Sequence, residues 1–396
     1  MKLIVLHHRL SGFAGHRYNE GLALIEECRR RGWQLDLLVS TQAGAPVLQG
    51  LGGVARAVFN DPTFDFTRNF QERVDDFASQ LRAHVEPGIE RDCRVLVTVA
   101  TQCEACALAR WAKTLPAERV PWFLILFLSD RWNRDGARPD EAAEIEIAAG
   151  EFAALDPATR ERFVLCGLTG ALATELTRRL RQPVSPVPAH SDYHGLEAIA
   201  RARRERAIPH PPKIALLGGA RSEKGSHRTP ETVAACRTRT SVNFIIQAHN
   251  ETLEPVAFER LRALGATPGV TMIEGSLDRD AYERVLAVAD ALFQPYERKN
   301  YRKRNSGIFC EGVAAGLPSI VPSGTWLAEQ IESGDAVGVV YEGEGAQIEA
   351  EAVKRCVDNL EALTVAAGTT AAPWRKRQSL TASLNAMERV RAARSQ

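Results

Sequence analysis

The chain has 396 residues, 45% apolar and 25% charged, with a formal charge of +1. That size and composition suit a soluble globular protein of about two domains. The near-zero charge balance gives no field that would favour nucleic acid as a partner, and no apolar run reaches the ~18 residues of a membrane span.

The opening MKLIVLHHRL is expected to be a first strand, since it lacks the long apolar core of a signal peptide. Eight scattered cysteines read as reduced, mostly buried thiols, which places the chain in the cytoplasm. Cys103 and Cys106 form a CxxC without a second ligand pair, so a helix face is the expected reading and a metal or redox site the alternative.

Strands are expected over 2–6, 34–39, 54–59, 94–99, 121–128, 162–165 and 184–187, with helical patterns between them. The helix over 19–31 stops at Gly32, with arginines in its last turn. Around 183–188 the texture changes to VSPVPAHSDYHG, where prolines remove donors and restrict their neighbours. The basic stretch RARRERA follows; it reads as a solvated helix or as a contact for an anionic membrane surface. A second series has strands over 213–217, 242–247, 270–274, 291–294, 319–321 and 337–341 and helices over 279–289, 308–315 and 347–363. Strand–helix alternation implies parallel sheets, hence two doubly wound α/β domains in tandem. The division expected is 1–195 as the first domain, 196–212 as linker, 213–372 as the second domain and 373–396 as a C-terminal helix packing back on the first.

In such sheets ligands sit beyond the carboxyl ends of the strands. After the first strand comes HHRLSGFAGHRYNEG, whose Gly12 and Gly15 let backbone approach a ligand. It is not GxGxxG, and His16 reads equally as a polar contact or a loop histidine. After the first strand of the second series comes LLGGARSEKGSH. Lys224 precedes Gly225, so this is no P-loop. Arg221 and Lys224 beside a glycine pair suit a diphosphate; an ordinary charged surface loop is the other reading. Gly275, Ser276 and Leu277 form a strand-exit loop whose backbone could meet a base edge. Asp278 and Asp280 make a DxD at a helix start, where capping explains them better than a metal. In RNSGIFCEGVAAGLPSIVP, Asn305 or Ser306 can cap a helix and Gly307 keeps its amides accessible. Glu311 follows about a turn later, where a carboxylate would need hydroxyl partners or serve the helix dipole.

Taken in order, these pieces resemble GT-B glycosyltransferases, and within them glycosyltransferase family 4 (the family 1-like group). The likeness spans nearly the whole chain and is strongest over 213–338. GGARSEKG resembles the family's donor-phosphate loop, EGSLDRDAYERVLAVADALFQPY its following strand-exit, helix and strand, and SGIFCEGVAAGLPSIVPSGTWLAEQI its E-x7-E region. The resemblance implies two Rossmann-like domains facing across a cleft and a retaining, metal-independent hexosyltransferase without a cofactor. The donor implied is a nucleotide-diphosphate sugar, UDP- or GDP-linked, and the acceptor a glycan, a lipid-linked species or a small molecule. By the same resemblance Arg221 and Lys224 hold the diphosphate, and Gly275, Ser276 and Leu277 lie against the base. Ser306 and Gly307 give backbone contacts, Glu311 binds the ribose, and Gly12 and Gly15 form the glycine loop near the diphosphate. His16 and Asp130 are the candidate groups near the reacting sugar. Three positions depart from the pattern. Lys303 stands where the first glutamate of E-x7-E would be, Gly219 stands at the usual arginine, and Ser129 precedes Asp130 where a histidine is usual. Those departures keep two alternatives in view: a GT-B sugar-nucleotide epimerase and a non-catalytic nucleotide-sugar-binding subunit.

Overall fold

The computed structural model describes residues 1–13, 16–61, 65–129, 141–189, 193, 195–249 and 254–394. The chain divides into two units, Met1–His190 with Leu380–Gln396, and Ser191–Ser379.

The first unit holds a parallel sheet of β1 (Lys2–His7), β2 (Gln34–Ser40), β3 (Ala55–Phe59), β4 (Arg94–Ala100), β5 (Trp122–Phe127), β6 (Phe163–Gly167) and β7 (Val184–Pro186). Their order is β3-β2-β1-β4-β5-β6-β7. Every residue of β5 is buried, as a central parallel strand covered by helices on both faces requires. Phe123 stacks on Phe163 of β6 at 4.3 Å between ring centroids. Helix Gln102–Ala112 starts with a capping box, Thr101 and Glu104 satisfying each other's backbone amides. Cys103 and Cys106 lie buried in this helix, and burial raises both thiols, Cys106 to about 12. Both belong to the hydrophobic core of this unit, which accords with the helix-face reading.

The second unit holds β8 (Lys213–Leu216), β9 (Asn243–Ala248), β10 (Val270–Glu274), β11 (Ala291–Phe293), β12 (Ser319–Pro322) and β13 (Gly338–Tyr341), ordered β10-β9-β8-β11-β12-β13 and parallel throughout. Both sheets therefore reverse direction once, between β1 and β4 in the first and between β8 and β11 in the second. Loops leaving the strands on either side of a reversal diverge and leave a crevice between them.

The stretch 196–212 contains helix Leu196–Glu205, which belongs to the second unit. Its arginines are placed unequally: Arg203 is buried, whereas Arg201 and Arg204 are exposed, as a solvated face expects. Arg203 donates to the Ala289 carbonyl, Arg206 to Val288 O at 3.2 Å and to the Asp290 carboxylate, and Arg204 to Gly368 O at 2.6 Å. Arg203 and Arg206 thereby satisfy carbonyls at the C-terminal end of helix Arg279–Val288, where a cation is electrostatically favoured.

The C-terminal segment is two helices rather than one over 374–393. Helix Leu360–Arg377 carries Pro373 inside it and packs in the second unit, where Trp374 lies against Phe309 and Trp326. Helix Leu380–Arg394 then joins the first unit, through Arg94–Glu388 at 3.2 Å and Arg31–Asn385 at 2.8 Å. Among the described residues no helix is long and apolar enough to cross a membrane.

Candidate functional site

At the reversal of the second sheet, β8 runs into Leu217-Gly218-Gly219-Ala220-Arg221 and a single turn Ser222–Lys224. Gly218 has φ +106° and Gly225 φ +78°, backbone that side-chain-bearing residues rarely adopt. Both glycines also allow close approach. A Cβ on Gly225 would strike the Pro295 carbonyl at 2.3 Å, and one on Gly218 would lie 2.4 Å from Lys224 Nζ. The loop thus folds back on itself and sets the lysine above the Gly218 backbone.

Gln247, buried at the end of β9, ties the neighbouring exits together. Its Oε1 accepts from Gly218 N at 2.9 Å, and its Nε2 donates to Gly275 O at 3.0 Å after β10. Gly275 has φ +84° with open space around it, Ser276 is exposed and Leu277 half-buried. Asp278 caps helix Arg279–Val288, accepting from Ala281 N at 2.7 Å, so the first acid of the DxD has a structural task. A cavity under these loops is lined by Leu217, Gly219, Lys224, Gln247, Phe293 and Tyr296.

Beyond β11 the chain passes Tyr296 and Tyr301 before helix Gly307–Ala314. Ser306 caps that helix by accepting from Phe309 N at 3.2 Å. The Gly307 and Ile308 amides remain outside the helix's own hydrogen bonds. Glu311 is 8% exposed. Beside it stands Tyr282, whose hydroxyl is pushed well above its ordinary range by burial and then by the Glu311 carboxylate. Lys303, at the position where the resemblance expects an acid, is half-buried.

Two residues that sequence reasoning passed over organise the charges. Glu223 is 5% exposed, with Oε1 2.9 Å from Arg221 Nη1 and Oε2 accepting from Arg304 Nη1 at 2.9 Å. Burial, then the nearby Arg221, push the Lys224 ammonium down to about 7; Glu223 pulls the other way. The signal for Glu223 and Arg304 would have been pairing between loops 81 positions apart, which one sequence does not display. Gln247 could have been noticed, as the polar residue that ends the apolar run FII.

Eight sequence candidates, Arg221, Lys224, Gly275, Ser276, Leu277, Ser306, Gly307 and Glu311, therefore lie in the second unit, in the loops after β8 and β10 or in the segment and helix after β11. The others belong to the first unit. Gly12 follows β1 in an open loop, and His16 begins helix His16–Arg31. Gly15 and Asp130 fall outside the described residues.

The first sheet's reversal has its own buried polar group, also unread from sequence. His8 Nε2 lies 2.8 Å from Glu104 Oε1, and Arg9 donates to the same oxygen at 2.8 Å and to Asp61 at 3.2 Å. Burial pushes the Glu104 carboxyl up, but Arg9 and His8 outweigh it and hold the group well below the carboxylate range. His8, Asp61 and Glu104 come within metal-ligand reach of one another. The Arg9 guanidinium already bonds both carboxylates, so it supplies the counter-charge a metal would bring.

No family model matches the sequence, and no curated protein matches it. Solved structures do. A glycosyltransferase from Rickettsia africae superimposes with a TM-score of 0.65 at 12% identity, covering 100% of this chain and 98% of its own. Sucrose-phosphate synthase from Thermosynechococcus elongatus gives 0.66 at 14%, covering 98% and 97%. Anabaena HepE in complex with UDP-glucose gives 0.65 at 13%, covering 99% and 100%. The likeness runs over both sheets and their crossovers, and it establishes that this chain has the GT-B fold.

Proposed function

We propose that the chain is a glycosyltransferase that takes its sugar from a nucleotide-diphosphate sugar. The observation that carries this reading is the meeting of Arg221, Lys224 and the free amide end of helix Gly307–Ala314 near the sheet reversal. Two cations and oriented amides stabilise the charge that develops on a departing diphosphate. The shared fold adds support, since Anabaena HepE binds UDP and UDP-glucose. In this reading Gly275, Ser276 and Leu277 meet the base and Glu311 receives the ribose hydroxyls. For Gly12, Gly15, His16 and Asp130 the family 4 resemblance supplies the roles, the glycines for the diphosphate and the other two for the sugar. The chemistry is positioning and charge stabilisation, with family 4 retention at the anomeric carbon and no metal.

The test is a thermal-shift screen of UDP, GDP and ADP and their sugar conjugates, followed by analysis of donor turnover. A true donor raises the melting midpoint by mass action. No shift at millimolar ligand overturns the reading. Turnover that appears only with an acceptor supports transfer, and an isomeric donor would mean an epimerase. Lys303 favours a second reading, a nucleotide-sugar-binding subunit, which would give a shift and no turnover with any acceptor.

A further inference from the structure

We propose that Gln247 is a positioning residue that ties the base loop of the donor site to its diphosphate loop and thereby sets the preference among nucleobases. This rests on the donor-site reading above and gives a role to a residue that no sequence pattern assigned.

A glutamine is unexpected where this one stands. It follows the apolar run Phe244-Ile245-Ile246 of β9, is 6% exposed, and lines the cavity under the loops beside Leu216, Ile246 and Phe293. A leucine there would add to the core, whereas a buried carboxamide costs free energy unless it is hydrogen-bonded. Both of its polar atoms are bonded, and both bonds go to loops at strand exits. Gly218 N donates to Oε1 at 2.9 Å, and Nε2 donates to Gly275 O at 3.0 Å.

The second bond fixes the direction of a peptide. Gly275 N already donates to Ala248 O at 2.8 Å, so with Gln247 on its carbonyl this glycine is held at both polar atoms. In a planar trans peptide the C=O and the following N–H point opposite ways. The Gly275 carbonyl faces Gln247, so the Ser276 N–H is turned away from it. That amide donates to no group among the described residues, Ser276 is exposed, and the space where a Gly275 Cβ would stand is open. An oriented donor beside open space can meet an acceptor on the edge of a base. Hydrogen bonds weaken steeply off axis, so the direction of this N–H discriminates between bases. Holding it before binding also removes an ordering cost.

The first bond refers that peptide to the diphosphate loop, which a nucleoside diphosphate must reach at the same time. The diphosphate loop has a further tether, Ala220 N to His249 O at 2.9 Å, that does not pass through Gln247. Without Gln247 the Gly275 carbonyl loses its anchor, and a glycine lets the peptide after it turn. Loss of the carboxamide should therefore be felt at the base more than at the phosphates.

The experiment is calorimetry on the full chain with UDP, GDP, ADP and inorganic pyrophosphate, comparing wild type with Q247M, which keeps the length of the side chain and loses both bonds. Wild type is expected to prefer one of the three nucleotides. Q247M should bind that nucleotide about fivefold more weakly, flatten the preference, and bind pyrophosphate within about twofold of wild type. A residue that only supported the fold would lower the melting midpoint and weaken all four ligands alike. Equal losses for all four, or an unchanged preference, overturn the inference and leave the donor site standing. So does a wild type that takes the three nucleotides equally. If wild type binds none of the four, both readings fall. Should Q247M fail to fold, Q247N decides, because it keeps the amide and is one methylene short of spanning both exits. An unchanged preference in Q247N then overturns the proposal.

Discussion

The Lys224 ammonium occupies the space a side chain on Gly218 would need: a Cβ there would lie 2.4 Å from Nζ and 2.8 Å from Ile308 Cδ1. Gly218 also has φ +106°. Gly218→Ala should therefore cost about 1–3 kcal/mol through backbone strain and contact. It should also displace Lys224 and weaken pyrophosphate binding. Urea unfolding and calorimetry of the same variant check both halves. A variant as stable as wild type would contradict the loop geometry.

Glu27 makes a separate prediction about the return of the C-terminal helix. Its carboxylate accepts from Arg30 at 2.7 Å, from Arg31 at 2.5 Å and from Thr381 Oγ1 at 2.8 Å. Burial raises its pKa, but those three partners prevail and hold it down to about 2. The folded value lies below the unfolded one, so this stabilisation is present above about pH 4 and is lost as pH falls toward about 2. Glu27→Gln should cost about 1 kcal/mol near neutrality, allowing for solvent screening of the arginines. The gap between variant and wild type should close in acid, as urea titrations at both ends of that window would read.

The strands were legible because parallel strands buried on both faces are written as unbroken apolar runs; WFLILF of β5 has no other comfortable location. The end of the chain was less so. Gly368 and Pro373 look like helix breakers, yet both lie inside helix Leu360–Arg377. Gly368 lets the Arg204 side chain pack closely, 3.2 Å separating its Nε from where a Cβ would stand, and buried Trp374 anchors the turn beyond the proline. Tertiary packing overrides local propensity in such a helix. At the site, glycines and cations on single loops could be read, whereas Glu223–Arg304 and His8–Glu104 arise only when distant strand ends are brought together.

Glu311 and the cations should be separable by ligand. If Glu311 receives ribose hydroxyls, Glu311→Gln should weaken a nucleoside diphosphate by about 1–3 kcal/mol. Pyrophosphate, which has no ribose, should bind as before. Equal losses for both ligands, or none, would return Glu311 to its contact with Tyr282 as a structural group. Calorimetry with the two ligands on one protein preparation makes the comparison.

Lys224 gives the donor site a pH dependence whose sign can be worked out. Burial, then Arg221, bring the ammonium down to about 7, so above that pH the ligand-free protein holds mostly the neutral amine. An unfolded lysine keeps its proton to about 10.4. Between those values the unfolded chain binds more protons, and this group makes the fold more stable as pH rises. Ligand binding runs the other way. A diphosphate favours the charged amine and restores its proton, so affinity should fall as pH rises above about 7, by at most about tenfold per pH unit. Calorimetry in two buffers of different ionisation enthalpy should register proton uptake in that range and little below it. Lys224→Met should bind more weakly, with neither the slope nor the uptake. A wild-type affinity that stays level across the window would mean that the ammonium keeps its proton throughout, or that it does not meet the phosphates.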